Sequence, residues 1–348
     1  MTTNVVVATY HGVVLGCDSL ASVVERAFFP FRGGQAFARD ASGSLMRDAE
    51  GNPLLVYSEN NLIATPTNFM GGVRKLFLLH ESPNPDDVVC SVAATTAGLG
   101  TLNGVVIAEI ADRFKRHARS SGRDFASAGE VVEEFCRFVR PLWETQVDWH
   151  HTPDDQKAFL SDLEFLVAGY GPEDEYIKVY RISIAKPDAM EIFTEPPHCS
   201  AAWAGQADSI SSLVNGFSTA TKWAVERSVA DALADQRQTI VSSVLDQLRA
   251  QGVQVPEPFE ATIDVAVPAE LPWGQAAPAV DWANLPVQSA VDLVSTLVNA
   301  ESAIQKFSMG IATVGGRTRI GLMRRGMPFA FLNEPEIVHH HVGYNHDA

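Results

Sequence analysis

No stretch of the 348 residues approaches the ~20 consecutive apolar positions that a membrane-spanning helix needs. Positive charge is scarce: 26 Lys and Arg stand against 42 Asp and Glu, a formal net charge of −16. A surface of that sign repels phosphate backbones and anionic headgroups, which argues against nucleic acid and membranes as partners. Cysteine is sparse as well. Cys17, Cys90, Cys136 and Cys199 show no CxxC spacing, so neither a disulfide framework nor a zinc knuckle is expected. The sequence has no GxGxxG, no GxxxxGKS/T and no internal repeat, and its start has no basic patch followed by a signal core. Disorder over most of the length is excluded by the 46% hydrophobic content. The expectation is an acidic globular protein of the cytoplasm that uses no metal or organic cofactor.

What is present begins with Asn4–Tyr10, apolar and β-branched, as suits a strand covered on both faces. His11-Gly12 reads as a two-residue turn into Val13–Cys17, a second strand. Residues about 23–62 are rich in Gly, Pro and Asp and read as an elaborated hairpin region or exposed insertion. Strands are expected at Val73–Leu79, Val88–Ala93, Leu166–Tyr170, Tyr176–Ile182, Thr318–Met323 and Met327–Leu332. Helices are expected from Thr101 to about Ala118, around Val131–Leu142, from about Ser218 to Arg249 with a break or bend, and through Ala290–Ile304. Pro256 to Pro286 reads as an ordered surface excursion. Strands and helices in such blocks favour an α+β sandwich over a doubly wound sheet, with residues 1–348 as one domain carrying insertions about 23–62 and 225–285.

The chemistry concentrates at the N-terminus. Removal of Met1 would leave Thr2 with a hydroxyl and a free α-amine, whose pKa of about 7.7–8.0 makes it a usable base near neutrality. If residues 10 and 13 pair across the turn, Val5 faces Asp18, which then stands roughly 10 Å along the strand axis from Thr2. A neighbouring strand can place a cation between them, and Lys75, the only lysine before Lys115, is the candidate. Its ammonium would favour the deprotonated hydroxyl and the neutral amine, with Asp18 holding it in place. Ala93–Thr101 runs through small residues into a helix, and Gly98 is the candidate N–H donor to an oxyanion.

Thr2-Thr3 followed by Gly12-Val-Val-Leu-Gly-Cys-Asp18-Ser-Leu-Ala-Ser22 resembles the mature N-terminus of proteasome β-type subunits, and is similar to the bacterial ring peptidases that work with an AAA+ unfoldase. Val73-Arg-Lys75-Leu resembles the lysine strand of that family, and Thr96-Ala-Gly98 its oxyanion turn. The resemblance implies a four-layer αββα N-terminal-nucleophile (Ntn) hydrolase sandwich, a peptide or unfolded-protein substrate, a homo-oligomeric ring, and an AAA+ unfoldase as candidate partner. It implies catalytic roles for Thr2, Asp18, Lys75 and Gly98. Ser22, Thr96 and Gly98 would line the groove for the substrate strand, with Val73 and Gly100 near its side-chain pocket.

The sequence also departs from that pattern. The connection between Asp18 and Lys75 spans 57 positions. Ala204 takes the place of the serine that usually contacts the terminal amine. Ile311 and Val314 stand where Asp and Ser are common, with Thr313 or Ser308 as candidate substitutes. A non-catalytic shell subunit and a small-molecule amidase are therefore kept as alternatives to a threonine peptidase. Cys17 reads as a buried hydrophobe, His339–His341 with His346 and Asp347 as a solvated tail, and Glu133-Glu134 as an exposed helix face. Trp143, Trp149 and Trp223 read as packing or interface residues.

Overall fold

The structure is a computed structural model that describes residues 2–28, 37–56, 62–82, 88–186, 188–254, 271–307 and 312–333; the side chains of residues 22–28 and 62–69 fall outside that description. In chain order its strands and helices are β1 (Thr3–Thr9), β2 (Gly12–Cys17), β3 (Ala21–Phe28), β4 (Leu62–Met70), β5 (Leu76–Glu81), β6 (Ser91–Gly98), β7 (Thr101–Leu102), β8 (Val105–Val106), α1 (Ile107–Ser120), α2 (Ala128–Gln146), β9 (Leu163–Tyr170), β10 (Lys178–Ser183), β11 (Met190–Ile192), β12 (Ala201–Gly205), α3 (Asp208–Asn215), α4 (Thr219–Ala250), α5 (Val287–Phe307), β13 (Arg319–Met323) and β14 (Ala330–Phe331). The architecture is mixed α and β. Two antiparallel five-stranded sheets run in the orders β12-β1-β2-β13-β14 and β11-β10-β9-β6-β5.

Every residue of β1 and β2 is buried, and strand alternation explains how. Val6, Ala8, Val13, Leu15 and Cys17 point into an apolar layer shared with Leu76, Ala93, Leu166 and Ala168 of the second sheet. The alternate residues face α5, which packs on β1, β2 and β13. Gly16 admits that helix closely, since a Cβ there would stand 2.2 Å from Val294 Cγ1. On the far side of the second sheet, Phe77, Phe165, Phe114, Phe135 and Trp143 form a core with α1 and α2. Ser127 caps α2, its hydroxyl accepting from Glu130 N.

The chain divides into two compact units, Met1–Gln206 with Trp282–Ala348, and Ala207–Asp281. The second unit contains α3, α4 and a 3₁₀ turn at Trp273–Ala276. Within it Trp273 Nε1 donates to Glu226 Oε1 at 3.0 Å, and Ser218 caps α4. Helix α4 is one continuous element, where a break or bend was expected. No helix among the described residues is long and apolar enough to cross a membrane.

Three local expectations are corrected. The β1–β2 loop is Tyr10-His11, not His11-Gly12: Thr9 pairs with Gly12 and Val5 with Gly16. Thr9 Oγ1 braces the turn, accepting from His11 N and donating to Gly12 O, both at 3.1 Å. Gly12 then sits at φ +147, which L side chains rarely adopt, and a Cβ there would lie 2.6 Å from Met323 O. Thr101 does not begin a helix; residues 101–106 form the β7–β8 hairpin, turned at Asn103-Gly104 with φ of +50 and +78, as a type I′ turn requires. Residues 37–56 contain a short repeat that sequence reading passed over. Arg39-Asp40-Ala-Ser-Gly43-Ser44 and Arg47-Asp48-Ala-Glu-Gly51-Asn52 make the same exposed turn, each Asp accepting from N–H groups two and four residues on. Ala38, Met46 and Leu54 close the motif through a cycle of N–H to O=C bonds at 2.8–2.9 Å. Of the expected C-terminal strand only Ala330–Phe331 pairs, and the histidine tail lies outside the described residues.

Candidate active site

The corrected turn moves Asp18 two residues nearer the chain start than sequence spacing indicated. Asp18 N donates to Thr3 O at 3.2 Å, so Asp18 faces Thr3. The residue is 1% exposed, and its carboxylate takes four donors. Oδ1 accepts from Thr3 N at 3.0 Å and from Lys75 Nζ at 2.7 Å. Oδ2 accepts from Leu20 N at 3.2 Å and Gly315 N at 3.1 Å. Burial of a carboxylate is tolerable only with such pairing. Lys75 is 3% exposed, and its ammonium also donates to Leu20 O. An ammonium has three N–H donors, so one remains for the cleft that Lys75 lines. Lys75 precedes β5 by one residue, and Thr96 N donates to Lys75 O at 3.0 Å, fixing it to the end of β6.

Thr2, 6% exposed, lines the same cleft, together with Val73, Thr96, Gly98 and Gly100. The cleft has about 410 Å³ of free space including its solvent-open part, and the centre of a water can sit in about 30 Å³ of it. Thr2 O accepts from Gln206 N at 2.8 Å, Thr3 Oγ1 donates to Gln206 O, and Thr313 Oγ1 donates to Gln206 Oε1 at 2.7 Å. Close approach here depends on Gly205, at φ +79, where a Cβ would fall 2.0 Å from Thr2 O. Gly98, at φ +96, ends β6 in a conformation open to glycine, and a Cβ would meet Asp162 O at 2.3 Å. The first turn of α1 also borders the cleft through Ile107 and Ala108. Its N-cap, Val106, offers no side-chain acceptor, and Ile107 N donates instead to Gly100 O at 3.3 Å.

The structure thus brings Thr2, Val73, Lys75, Thr96, Gly98 and Gly100 to one cleft, with Asp18 directly behind Lys75. Ser22 lies in β3 opposite Phe69, but its side chain is outside the description. Ser308 and Ile311 also lie outside the described residues. Ala204 pairs with Asn4, and Val314 is fully buried. Asn4 is itself 0% exposed, and its Oδ1 and Nδ2 have no hydrogen-bond partner among the described residues. Gln206 and Gly315 went unnoticed in the sequence. Neither carries a local signal; Gly315 reaches Asp18 from 297 positions away.

Nearby groups narrow the chemistry. Burial, then the adjacent Asp18 carboxylate, pushes the Cys17 thiol up to about 12, so it stays a neutral thiol. Among the described residues no three His, Cys, Asp or Glu side chains gather to hold a metal ion. Glu133 and Glu134 lie on the outer face of α2, paired with Arg137 and Arg123. Trp143 is buried against Trp149, ring centroids 5.2 Å apart, whereas Trp223 is 73% exposed.

No family model matches the chain, and no curated protein matches it. Solved structures do. A Gly-1 mutant of Anbu from Hyphomicrobium sp. strain MC1 aligns at 11% identity and TM-score 0.43, covering 95% of this chain and 85% of that one. Anbu, described as an ancestral beta-subunit, from Yersinia bercovieri aligns at 10% identity and TM-score 0.41, covering 94% and 82%. A further Anbu structure from the Hyphomicrobium strain aligns at 9% identity and TM-score 0.41, covering 94% and 85%. Likeness at this level carries no inference about residue roles.

Proposed function

We propose that the protein is a threonine-type amide hydrolase whose nucleophile is Thr2 at a free N-terminus, on a four-layer αββα frame of the proteasome-like kind. The observation that carries this reading is the shared Asp18 Oδ1. One oxygen accepts both Thr3 N, the amide joining Thr2 to the chain, and Lys75 Nζ, while Thr2 and Gly98 border the same cleft. Thr2 Oγ attacks the substrate carbonyl, and the α-amine takes the hydroxyl proton directly or through a water. Lys75 lowers the cost of negative charge on Oγ, and Asp18 holds Lys75 without itself exchanging a proton. The Gly98 N–H receives the developing oxyanion. The tetrahedral intermediate collapses, the amine leaves with the proton held by the Thr2 ammonium, and water cleaves the remaining ester, regenerating hydroxyl and amine.

On this reading Gln206 anchors Thr2 through its carbonyl, not its amine, and is itself held by Thr313. The substrate is a peptide or unfolded protein, and the protein works in the cytoplasm as a homo-oligomeric ring, with an AAA+ unfoldase as its proposed partner. Intact mass gives the first test, because chemistry at Thr2 requires a chain that starts there. Labelling by an epoxyketone should add one equivalent at Thr2. Thr2→Ala should reduce peptide turnover at least ~10³-fold with an unchanged circular dichroism spectrum; full activity in that variant would overturn the assignment. A second reading, a shell subunit without activity, draws on Ala204 and the unpartnered Asn4 amide, and predicts a retained Met1 and no label.

A further inference from the structure

The cleft beside Thr2 is narrow, and its narrowness has a local origin. The space in which the centre of a water can sit is about 30 Å³, room for roughly two waters, since one needs ~10–15 Å³ of such volume. Its walls combine the apolar side chains of Val73, Ala97, Val106 and Ala108 with the hydroxyls of Thr2 and Thr96. The two cations that line it are each matched already. Lys75 is paired with Asp18, and the Arg74 guanidinium binds Asp112 and donates to Ala108 O at 3.2 Å. A charged side chain entering here would be desolvated without gaining a free counter-charge.

Val106 stands at the mouth, 47% exposed, as the last residue of the β7–β8 hairpin. That hairpin is clamped to α2. Asn103 N donates to Gln146 Oε1 at 2.7 Å, Asn103 Nδ2 donates to Leu142 O at 2.9 Å, and Leu102 is 1% exposed in the core. The wall is therefore held in place by tertiary bonds.

We propose that this cleft selects a small, uncharged side chain on the acyl side of the scissile amide, alanine or valine in size, and that Val106 sets the upper limit. The inference rests on the reading of Thr2 as nucleophile, because a carbonyl held between Thr2 and Gly98 lies in the cleft that Val73, Gly100 and Val106 also line. Substrates with Leu, Phe, Glu, Lys or Arg at that position are excluded by volume or by unmatched charge.

The test separates binding from chemistry. The Thr2→Ala protein is titrated, by NMR, with N-acetyl tetrapeptide amides that differ only at the acyl-side residue: Gly, Ala, Val, Leu, Phe, Glu or Arg. Ala and Val should bind ~10-fold or more tightly than Leu and Phe, the scale expected for an excess methylene or ring in a fixed apolar pocket. Val106→Gly, a change the N-cap position tolerates, should bring Leu level with Ala or above it. Ala108→Val should shift the preference to Gly. Tightest binding of Leu, Phe or a charged residue, an order unmoved by Val106→Gly, or no binding of any peptide would each overturn the proposal. Wild-type turnover of the same series distinguishes the two readings. Binding in the predicted order without cleavage leaves the pocket assignment standing and removes the hydrolase. Thr2-dependent cleavage that favours large residues does the reverse.

Discussion

Asp18 and the pair Asp40 and Asp48 do the same thing in opposite surroundings. Each gathers backbone N–H groups around a carboxylate. Asp40 draws its donors from Ser42 and Ser44, and Asp48 from Glu50 and Asn52, all within four residues and in water. Asp18 draws on Thr3, Leu20, Lys75 and Gly315, which lie up to 297 positions away, with a side chain 0% exposed. The local turns need nothing from the rest of the molecule. The buried cluster exists only when β1, β2, the residues before β5 and the loop before β13 have assembled. A charge held by distant partners reports on the whole fold and is available for chemistry, whereas a charge held by its neighbours reports on a turn.

The widest separation between the two kinds of site is expected from Lys75→Met. Removing the cation leaves Asp18 buried without a counter-charge, which costs about 3–5 kcal/mol, read as a lower midpoint in urea unfolding at pH 7. Adding Asp18→Asn to Lys75→Met should restore part of that loss. A double variant no better than the single one would show that the charge imbalance is not what destabilises. Gly98→Ala comes next. Its Cβ would press on Asp162 O at 2.3 Å in a φ of +96, at a cost of about 2–3 kcal/mol, and turnover should fall beyond what stability explains.

His80 offers a third case, half-buried and set among cations. It packs edge-on against Phe125 at 4.9 Å, and burial, then Arg119 and Lys115, lowers its pKa to about 4, Asp124 opposing. The folded state keeps it neutral while the unfolded chain protonates near 6.5. Its contribution to stability is therefore full above pH 6.5 and is lost as pH falls toward 4. Allowing for its partial exposure, about 1–2 kcal/mol should disappear over that window. His80→Leu should flatten the pH dependence of the unfolding midpoint between pH 6.5 and 4.5, and an unchanged slope would assign it to other groups.

What sequence reading could reach followed the same division. The two-faced burial of β1 was legible because β-branched residues run without a polar break. Asp18 was legible as a charge at the end of an apolar strand, and Lys75 as the only lysine before Lys115. The hairpin register was not, because Tyr10-His11 and His11-Gly12 both suit a two-residue loop, and the choice is made by Met323 O against Gly12, from a strand joined late in the chain. Residues 101–106 were misread as helix because the apolar spacing of α1 was carried back past Asn103-Gly104, itself a strong hairpin signal. Gly315 and Gln206 act through backbone atoms, which no residue type announces. The eight-residue repeat of the Asp40 and Asp48 turns was visible in the letters, yet too short to suggest a repeat architecture.

The smallest effect completes the comparison. Hydrogen bonds from Ser42, its hydroxyl foremost, and from Ser44 hold the Asp40 carboxyl below its ordinary range, and those from Asn52 do the same for Asp48. Asp40→Ala and Asp48→Ala should loosen their own turns, seen as faster amide exchange at Ser42, Ser44, Glu50 and Asn52, with no shift in global unfolding. The same loosening should appear in the wild type as pH falls through the carboxyl range, since a depressed pKa means order present above it and lost below. Should Asp48→Ala lower the global midpoint as Lys75→Met does, these turns are bound into the main fold, and the contrast with Asp18 is one of exposure alone.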